Sequence, residues 1–128
     1  MNDDIEYLDL DDLIEMAATL LGRPPPIRDV GLLGSATARP QTTVFGEDAY
    51  PDIWTKGAAL LQSVVKNHAL IDGNKRLGWL ATAAFLEVNQ VPVTHIANDD
   101  VYRFVMEVTV GNHEINEIAQ KLRRLTGL

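Results

Sequence analysis

The chain is organised around one short polar stretch, residues 68–78, which reads HALIDGNKRLG. It brings together an imidazole, a carboxylate, glycine and two cations, with apolar sequence on both sides. Upstream, apolar residues recur at steps of three and four between Ile53 and Val65, which predicts a helix that ends near His68. Downstream, residues 77–88 are so apolar all round that we predict a helix lying in the core. The sequence therefore predicts a helical fold in which two helices meet at this polar turn.

The first turn of the second helix, residues 73–76, has the properties of an anion site. The first N–H groups of a helix lack intrahelical partners, and the helix dipole favours negative charge at this end. Lys75 and Arg76 add positive charge at the same place. Phosphate is the anion that this turn suits best, although Arg76 alone could equally be a salt-bridge residue.

His68 and Asp72 supply two groups that a transfer reaction needs. An imidazole can accept a proton near neutral pH, so His68 could act as the general base toward an attacking hydroxyl. The carboxylate of Asp72 could hold a magnesium ion that bridges phosphate oxygens. Each residue also has a structural alternative, because the dipole favours a histidine at a helix C-terminus and aspartate often caps the next helix. His95 and His113 lack such neighbours, and we interpret them as structural.

The order of these residues resembles the motif of the Fic/Doc family. That motif runs His, often Pro, Phe, any residue, Asp or Glu, Gly or Ala, Asn, Gly or Lys, and Arg. The matching positions are His68, Asp72, Gly73, Asn74 and Arg76. Lys75 is similar to the lysine of the Doc branch, where many Fic proteins have glycine. Leu70 and Ala69 replace the motif phenylalanine and proline, and we expect Leu70 to fill the same apolar pocket with less volume.

The resemblance extends to residues 28–46, which are similar to the segment before the motif in Doc-like toxins. It implies an all-α, single-domain helical bundle with a small β-like flap that lies beside the active site and docks the main chain of a target protein. The flap would include Arg39, Gln41, Thr42 and Thr43. The strand-like composition of residues 41–45 agrees with this, although an ordinary surface loop is the alternative.

The resemblance also implies a function: a Doc-like toxin of a toxin–antitoxin pair, neutralised by its antitoxin. Such a toxin transfers a phosphoryl group from ATP or another nucleoside triphosphate to a protein hydroxyl, in this case a threonine of elongation factor Tu, and halts translation. His68 would be the general base and Asp72 would hold Mg²⁺. The phosphates would be bound by Gly73, Asn74, Lys75 and Arg76.

Two other functions are compatible with the same motif. One is Fic-type transfer of AMP, which the bulky Lys75 disfavours because it would alter how the triphosphate lies. The other is a non-catalytic binding module whose groove captures a partner segment.

Length and composition narrow the class of protein. A chain of 128 residues predicts one domain, residues 1–128, with a core of its own. The absence of cysteine excludes disulfides, the start of the chain is acidic, and no segment has the apolar length to cross a bilayer, so we expect a soluble cytoplasmic protein. A net charge of −7 argues against direct nucleic-acid binding, which needs clustered Lys and Arg.

Helix boundaries elsewhere follow from charged first turns and helix breakers. Asp9 opens a first helix that Gly22 ends. Residues 29–36 form a short helix, and the last helix begins near Glu114. With the helices around the polar stretch and a further one after it, these make a bundle of about five or six helices.

Three more boundaries are predicted around the two central helices. Pro51 suits the first position of the helix that leads to His68. Residues 98–100 cap a further helix, which Gly111 ends. Between the helix of residues 77–88 and the helix that begins at residues 98–100, the alternating valines of residues 89–96 indicate a short extended piece.

Overall fold

The computed structural model describes residues 4–128 and contains, within them, six α-helices and one two-stranded hairpin. The helices are α1 Leu10–Leu21, α2 Val30–Ala38, α3 Ile53–Asn67, α4 Asn74–Val88, α5 Asn98–Val110 and α6 Ile115–Thr126. A short 3-10 helix, Arg39–Gln41, leads into the hairpin strands β1 Thr43–Val44 and β2 Glu47–Asp48. The predicted all-α architecture of five or six helices with a small flap is confirmed.

The central helix of the bundle is α3, which packs against α2, α4, α5 and α6. Nearly all of its length from Thr55 to Val65 is buried. By contrast, α4 is buried along one face only, at Leu77, Gly78, Ala81, Thr82, Phe85 and Leu86. Helix α4 thus contributes to the core, as predicted, but with one face and not all round, and the enclosed helix is the one before it.

Small residues explain why α3 is the enclosed helix. A Cβ atom added to Gly78 of α4 would lie 2.6 Å from Cγ1 of Val65, and one added to Gly57 of α3 would lie 3.1 Å from Cδ2 of Leu122. The backbones of neighbouring helices thus approach α3 closely on different sides. Hydrophobic periodicity gives small residues little weight, although here they are the contact points.

Aspartate and glutamate side chains set most of the helix starts. Asp9 caps α1 and Asp29 caps α2, each accepting a backbone N–H from the first turn. At the start of α6 the Glu114 N–H donates to Glu117 Oε1 at 3.0 Å. The predicted starts at Asp9 and near Glu114 are confirmed, while α2 runs two residues beyond the expected end at Ala36.

Two predicted boundaries are wrong by one or two positions. Pro51 is not the first helical residue, because Asp52 takes the cap position by accepting from the Thr55 N–H at 2.8 Å. Asn98 does not cap α5 but is its first residue, following Ala97, which makes no side-chain cap. The acidic residues after Asn98 lie in the first turn, where their negative charge interacts favourably with the positive end of the helix dipole.

The connection between α4 and α5 contains no strand in the described chain, so the extended piece predicted for residues 89–96 is wrong. Its backbone turns back on α4 instead, with the Val91 N–H donating to the Leu86 carbonyl at 2.9 Å. Val91 and Val93 are both buried, so their alternation reflects packing under a loop.

Buried side chains from all six helices form one hydrophobic cluster among residues 4–128. Leu13, Leu33, Leu61, Phe85 and Leu122 are among its most enclosed members. None of the described helices has the length and hydropathy needed to span a membrane.

Candidate active site

The loop between α3 and α4 is held in place by the segment that precedes α2. The Arg28 and Asp29 N–H groups both donate to the Ala69 carbonyl, at 2.8 and 3.0 Å. In the other direction, the Ile71 N–H donates to the Pro26 carbonyl at 2.8 Å. The loop is therefore paired with a distant part of the chain and has a defined backbone path.

Leu70 anchors the middle of this loop in the core. Its side chain is 1% exposed, which confirms that it fills an apolar pocket in place of the motif phenylalanine. Its backbone forms an antiparallel bridge with Ile27. The neighbouring Ala69 is buried as well. An apolar anchor in the loop centre leaves the polar residues on either side facing solvent.

Asn74 holds the same loop from the side of α4. Its side-chain Oδ1 accepts from the Leu70 N–H at 3.0 Å, and its Nδ2 donates to the Leu70 carbonyl at 3.1 Å. Both ends of the amide are thus occupied by loop backbone. Any contact of Asn74 with a phosphate would therefore come from its backbone N–H in the first turn of α4.

His68 ends α3 in the left-handed conformation, with φ 53° and ψ 45°. This conformation is uncommon outside glycine, although histidine adopts it more readily than most residues. The Arg28 guanidinium donates to the His68 carbonyl, which secures the backbone at this point. The imidazole itself is exposed and, within residues 4–128, has no hydrogen-bond or ion-pair partner. The ring is thus available to a substrate.

Asp72 is exposed and lies between the loop anchor and α4. Its Oδ1 accepts from the Gly73 N–H at 2.9 Å. The cap position of α4 belongs to Gly73, which makes no side-chain cap, so Asp72 does not cap the helix as its structural alternative required. The other carboxylate oxygen of Asp72 points to no partner in the described chain.

The surroundings of Asp72 suit a magnesium ion that is shared with a substrate. No group of three or more potential metal-ligating side chains occurs among the described residues. Mg²⁺ does not need such a group, since it is commonly held by one or two carboxylates together with phosphate oxygens and water. A single exposed carboxylate beside a helix start with two exposed cations fits that arrangement.

The first turn of α4 combines a constrained glycine with two exposed cations. Gly73 has φ 91°, and a Cβ atom there would lie 2.7 Å from Cδ1 of Leu21. Lys75 and Arg76 are exposed, and neither forms an ion pair or side-chain hydrogen bond within the described residues. The salt-bridge alternative for Arg76 therefore has no partner there. The fold places His68, Asp72 and this turn in one connected loop.

The residues predicted for the docking flap divide into an exposed group and a packed one. Gln41, Thr42 and Thr43 are exposed, as a docking surface requires. Arg39 lies before the hairpin, where its guanidinium donates to Gln62 Oε1 at 2.7 Å and to the Tyr50 hydroxyl at 3.0 Å. Arg39 thus fastens the 3-10 helix to α3 and is not on the flap itself.

Two residues, one beside His68 and one beneath the hairpin, escaped sequence reasoning as individual candidates. Arg28 secures the His68 backbone, and its only signal was its place at the start of the segment that resembles Doc-like toxins. Lys56 is fully buried in the middle of α3. Its signal was a single charge within an otherwise apolar helical pattern.

Comparison with known proteins places the whole site inside a shared region. The sequence model described as the Fic/DOC family matches residues 7–86, which include the loop, the first turn of α4 and the hairpin. A protein of Mycolicibacterium smegmatis (strain ATCC 700084 / mc(2)155) named "Toxin Doc" is 46% identical over 120 residues, which cover 91% of this chain and 91% of that protein.

Proposed function

Because this chain belongs to the Fic/DOC family, we propose that it is a Doc-like toxin that transfers a phosphoryl group from a nucleoside triphosphate to a protein hydroxyl. One observation carries the proposal. The exposed imidazole of His68, the carboxylate of Asp72 and the cationic first turn of α4 lie on one loop whose backbone is fixed by hydrogen bonds. A fixed loop matters because phosphoryl transfer depends chiefly on positioning and charge stabilisation.

In the proposed reaction the His68 ring accepts the proton of the target hydroxyl. The hydroxyl oxygen then forms a bond to the γ-phosphorus, the bond from that phosphorus to the β–γ bridging oxygen breaks, and a nucleoside diphosphate leaves. Arg28 and the end of α3 hold the His68 backbone, and the imidazole therefore projects from a fixed position. Holding the base in one place removes part of the entropic cost of the step.

The phosphates would lie against the first turn of α4. Its backbone N–H groups and the side chains of Lys75 and Arg76 would stabilise the negative charge of the triphosphate. Asp72 would hold Mg²⁺, which when bound neutralises charge on the phosphate oxygens. The close approach of Leu21 to Gly73 keeps this turn compact.

The target and partner are proposed from the similarity to Doc toxins. We propose a threonine of elongation factor Tu as the acceptor, so that modification halts translation. An antitoxin would restrain the toxin until it is needed. The cytoplasm supplies both nucleoside triphosphates and elongation factor Tu, so we propose that the protein acts there.

The test is a labelling experiment with purified elongation factor Tu, Mg²⁺ and ATP labelled at either the γ or the α phosphate. We expect label from the γ position only. His68→Ala should abolish it, because the methyl group of alanine cannot accept the proton of the target hydroxyl. His95→Ala is the matched control, since His95 bonds to the Thr126 carbonyl at the far end of the chain and should leave labelling unchanged.

The other outcomes identify the alternatives. Label from the α position would replace phosphoryl transfer with AMP transfer. No label from either position, together with no magnesium-dependent triphosphate binding, would leave a binding module of the same fold. Full labelling by His68→Ala would remove His68 as the base.

A further inference from the structure

The side chains of the hairpin do not pack into the core, so packing does not hold the hairpin in place. Every residue from Gln41 to Asp48 is exposed. Its ladder consists of two pairs, Thr43 with Asp48 and Val44 with Glu47. An isolated two-stranded hairpin is at best marginally stable in water. The orientation of this hairpin must therefore be fixed where it joins the rest of the molecule.

One buried ammonium group joins both ends of the hairpin. Lys56 is 0% exposed and is the one charged side chain that is buried among residues 4–128. Its Nζ donates to the Tyr50 carbonyl at 2.6 Å, to Asp48 Oδ2 at 3.1 Å and to the Pro40 carbonyl at 3.4 Å. Pro40 precedes β1, Asp48 ends β2, and Tyr50 follows the hairpin. The three donors of the ammonium thus meet three oxygens at the two ends of one loop.

The burial of the Lys56 ammonium carries a free-energy cost. Removing a charge from water is unfavourable, and a well-packed apolar side chain in its place is often neutral or stabilising. The only carboxylate bonded to Lys56 among the described residues is Asp48, whose side chain is itself 41% exposed. An apolar residue could fill the same space in α3, but it could not bind the two ends of the hairpin together.

Lys56 also connects the hairpin to the helix that carries the proposed base. It lies on α3, which ends at His68 about 18 Å further along the helix axis. Both groups are therefore carried by one rigid element. We propose that Lys56 is the positioning residue that holds the hairpin ready for the protein substrate, an inference that rests on the proposed function.

The first test measures amide hydrogen exchange in the Lys56→Met variant, which keeps the length of the side chain without its charge. The Ala49 N–H donates to the Thr42 carbonyl across the base of the hairpin at 2.9 Å. We expect this amide to exchange about tenfold faster or more, while the amides of α4 keep their protection. Unchanged exchange at Ala49 would overturn the proposal.

Lys66→Met is the matched control. Lys66 lies on the same helix, but its Nζ donates to the Gly111 carbonyl between α5 and α6 and not to the hairpin. Removing it should leave exchange at Ala49 as in the unchanged protein. Equal acceleration in both variants would show a general loosening of α3 and would also overturn the proposal.

The second test separates positioning from a purely structural role by steady-state kinetics. With elongation factor Tu as substrate, Lys56→Met should raise KM for the protein about tenfold and leave KM for ATP unchanged. A hairpin that exchanges faster with no change in KM for elongation factor Tu would refute the positioning role. If the unchanged protein labels no elongation factor Tu, the proposed function fails, and the exchange experiment still decides whether Lys56 holds the hairpin.

Should Lys56→Met fail to fold, Asp48→Asn takes its place in both measurements. This change weakens the bond from β2 and leaves the two carbonyl acceptors of Lys56 in position. Faster exchange at Ala49 with a raised KM for elongation factor Tu supports the proposal. Exchange and KM equal to those of the unchanged protein contradict it.

Discussion

At the scale of single residues, the site is built from groups whose backbone is held and whose functional atoms are left exposed. His68 illustrates this arrangement, because Arg28 binds its carbonyl while its ring has no partner in the described chain. Its left-handed φ of 53° is a conformation that costs a side-chain-bearing residue energy.

The backbone cost at His68 can be separated from its chemistry. Both His68→Ala and His68→Gly should lose transfer activity, since neither has a group that accepts the proton. Glycine adopts φ 53° without strain, so His68→Gly should be more stable than His68→Ala by about 1 kcal/mol. Urea denaturation measures the difference. Equal midpoints for the two variants would mean that the left-handed conformation at this position is not strained.

At the scale of elements, the start of α4 requires glycine for two independent reasons. Gly73 has φ 91°, and the space for a Cβ atom is taken by the side chain of Leu21. The loop before it is held by Asn74 and by the bridge between Ile27 and Leu70. The helix start and the loop are therefore one structural unit, and a change in either displaces the proposed phosphate site.

Gly73→Ala and Gly34→Ala form a matched pair that tests this unit. Gly34 lies inside α2 with nothing near the position of an added Cβ, so alanine there should stabilise the fold by about 0.5–1 kcal/mol through helix propensity. Gly73→Ala should instead destabilise it by about 2 kcal/mol and weaken triphosphate binding. Thermal unfolding and nucleotide titration give the two readouts. Stabilisation by both substitutions would contradict the strained geometry assigned to Gly73.

At the scale of the whole molecule, the arrangement of helices depends on close backbone approach around α3. The helix before the site is enclosed on several sides, and α4 covers it with one face. Gly78 permits this approach, because an added Cβ would meet Cγ1 of Val65 at 2.6 Å. The spacing of α3 and α4 also sets the geometry of the loop that joins them.

Gly78→Ala should therefore destabilise the protein although alanine is the better helix former. The expected loss is about 1–3 kcal/mol, the usual cost of overpacking, and it exceeds the gain in propensity. Chemical denaturation measures it, with Gly34→Ala as the reference for propensity alone. A Gly78→Ala protein as stable as Gly34→Ala would show that α3 and α4 can separate without cost.

Much of the fold could be predicted from short-range signals. The carboxylates at Asp9 and Glu114 marked helix starts, and Gly111 marked a helix end, because capping acts within one turn of the chain. The order of residues in the polar stretch indicated the family, because the whole motif lies in one short segment of the chain. The start of α3 was predicted less well. Pro51 and Asp52 are both typical of helix starts, and the sequence does not show that the Asp52 carboxylate accepts the Thr55 N–H and makes Asp52 the cap.

The sequence by itself determined the helices and the collection of His68, Asp72 and the α4 turn in one loop, since these depend on neighbours along the chain. Only the tertiary structure decided that α3 is the enclosed helix, that Arg39 is fastened to it, and that Lys56 is buried beneath the hairpin. Burial depends on residues far apart in the sequence. A lysine at position 56 carries no sign of the oxygens at Pro40, Asp48 and Tyr50 until the chain has folded around it.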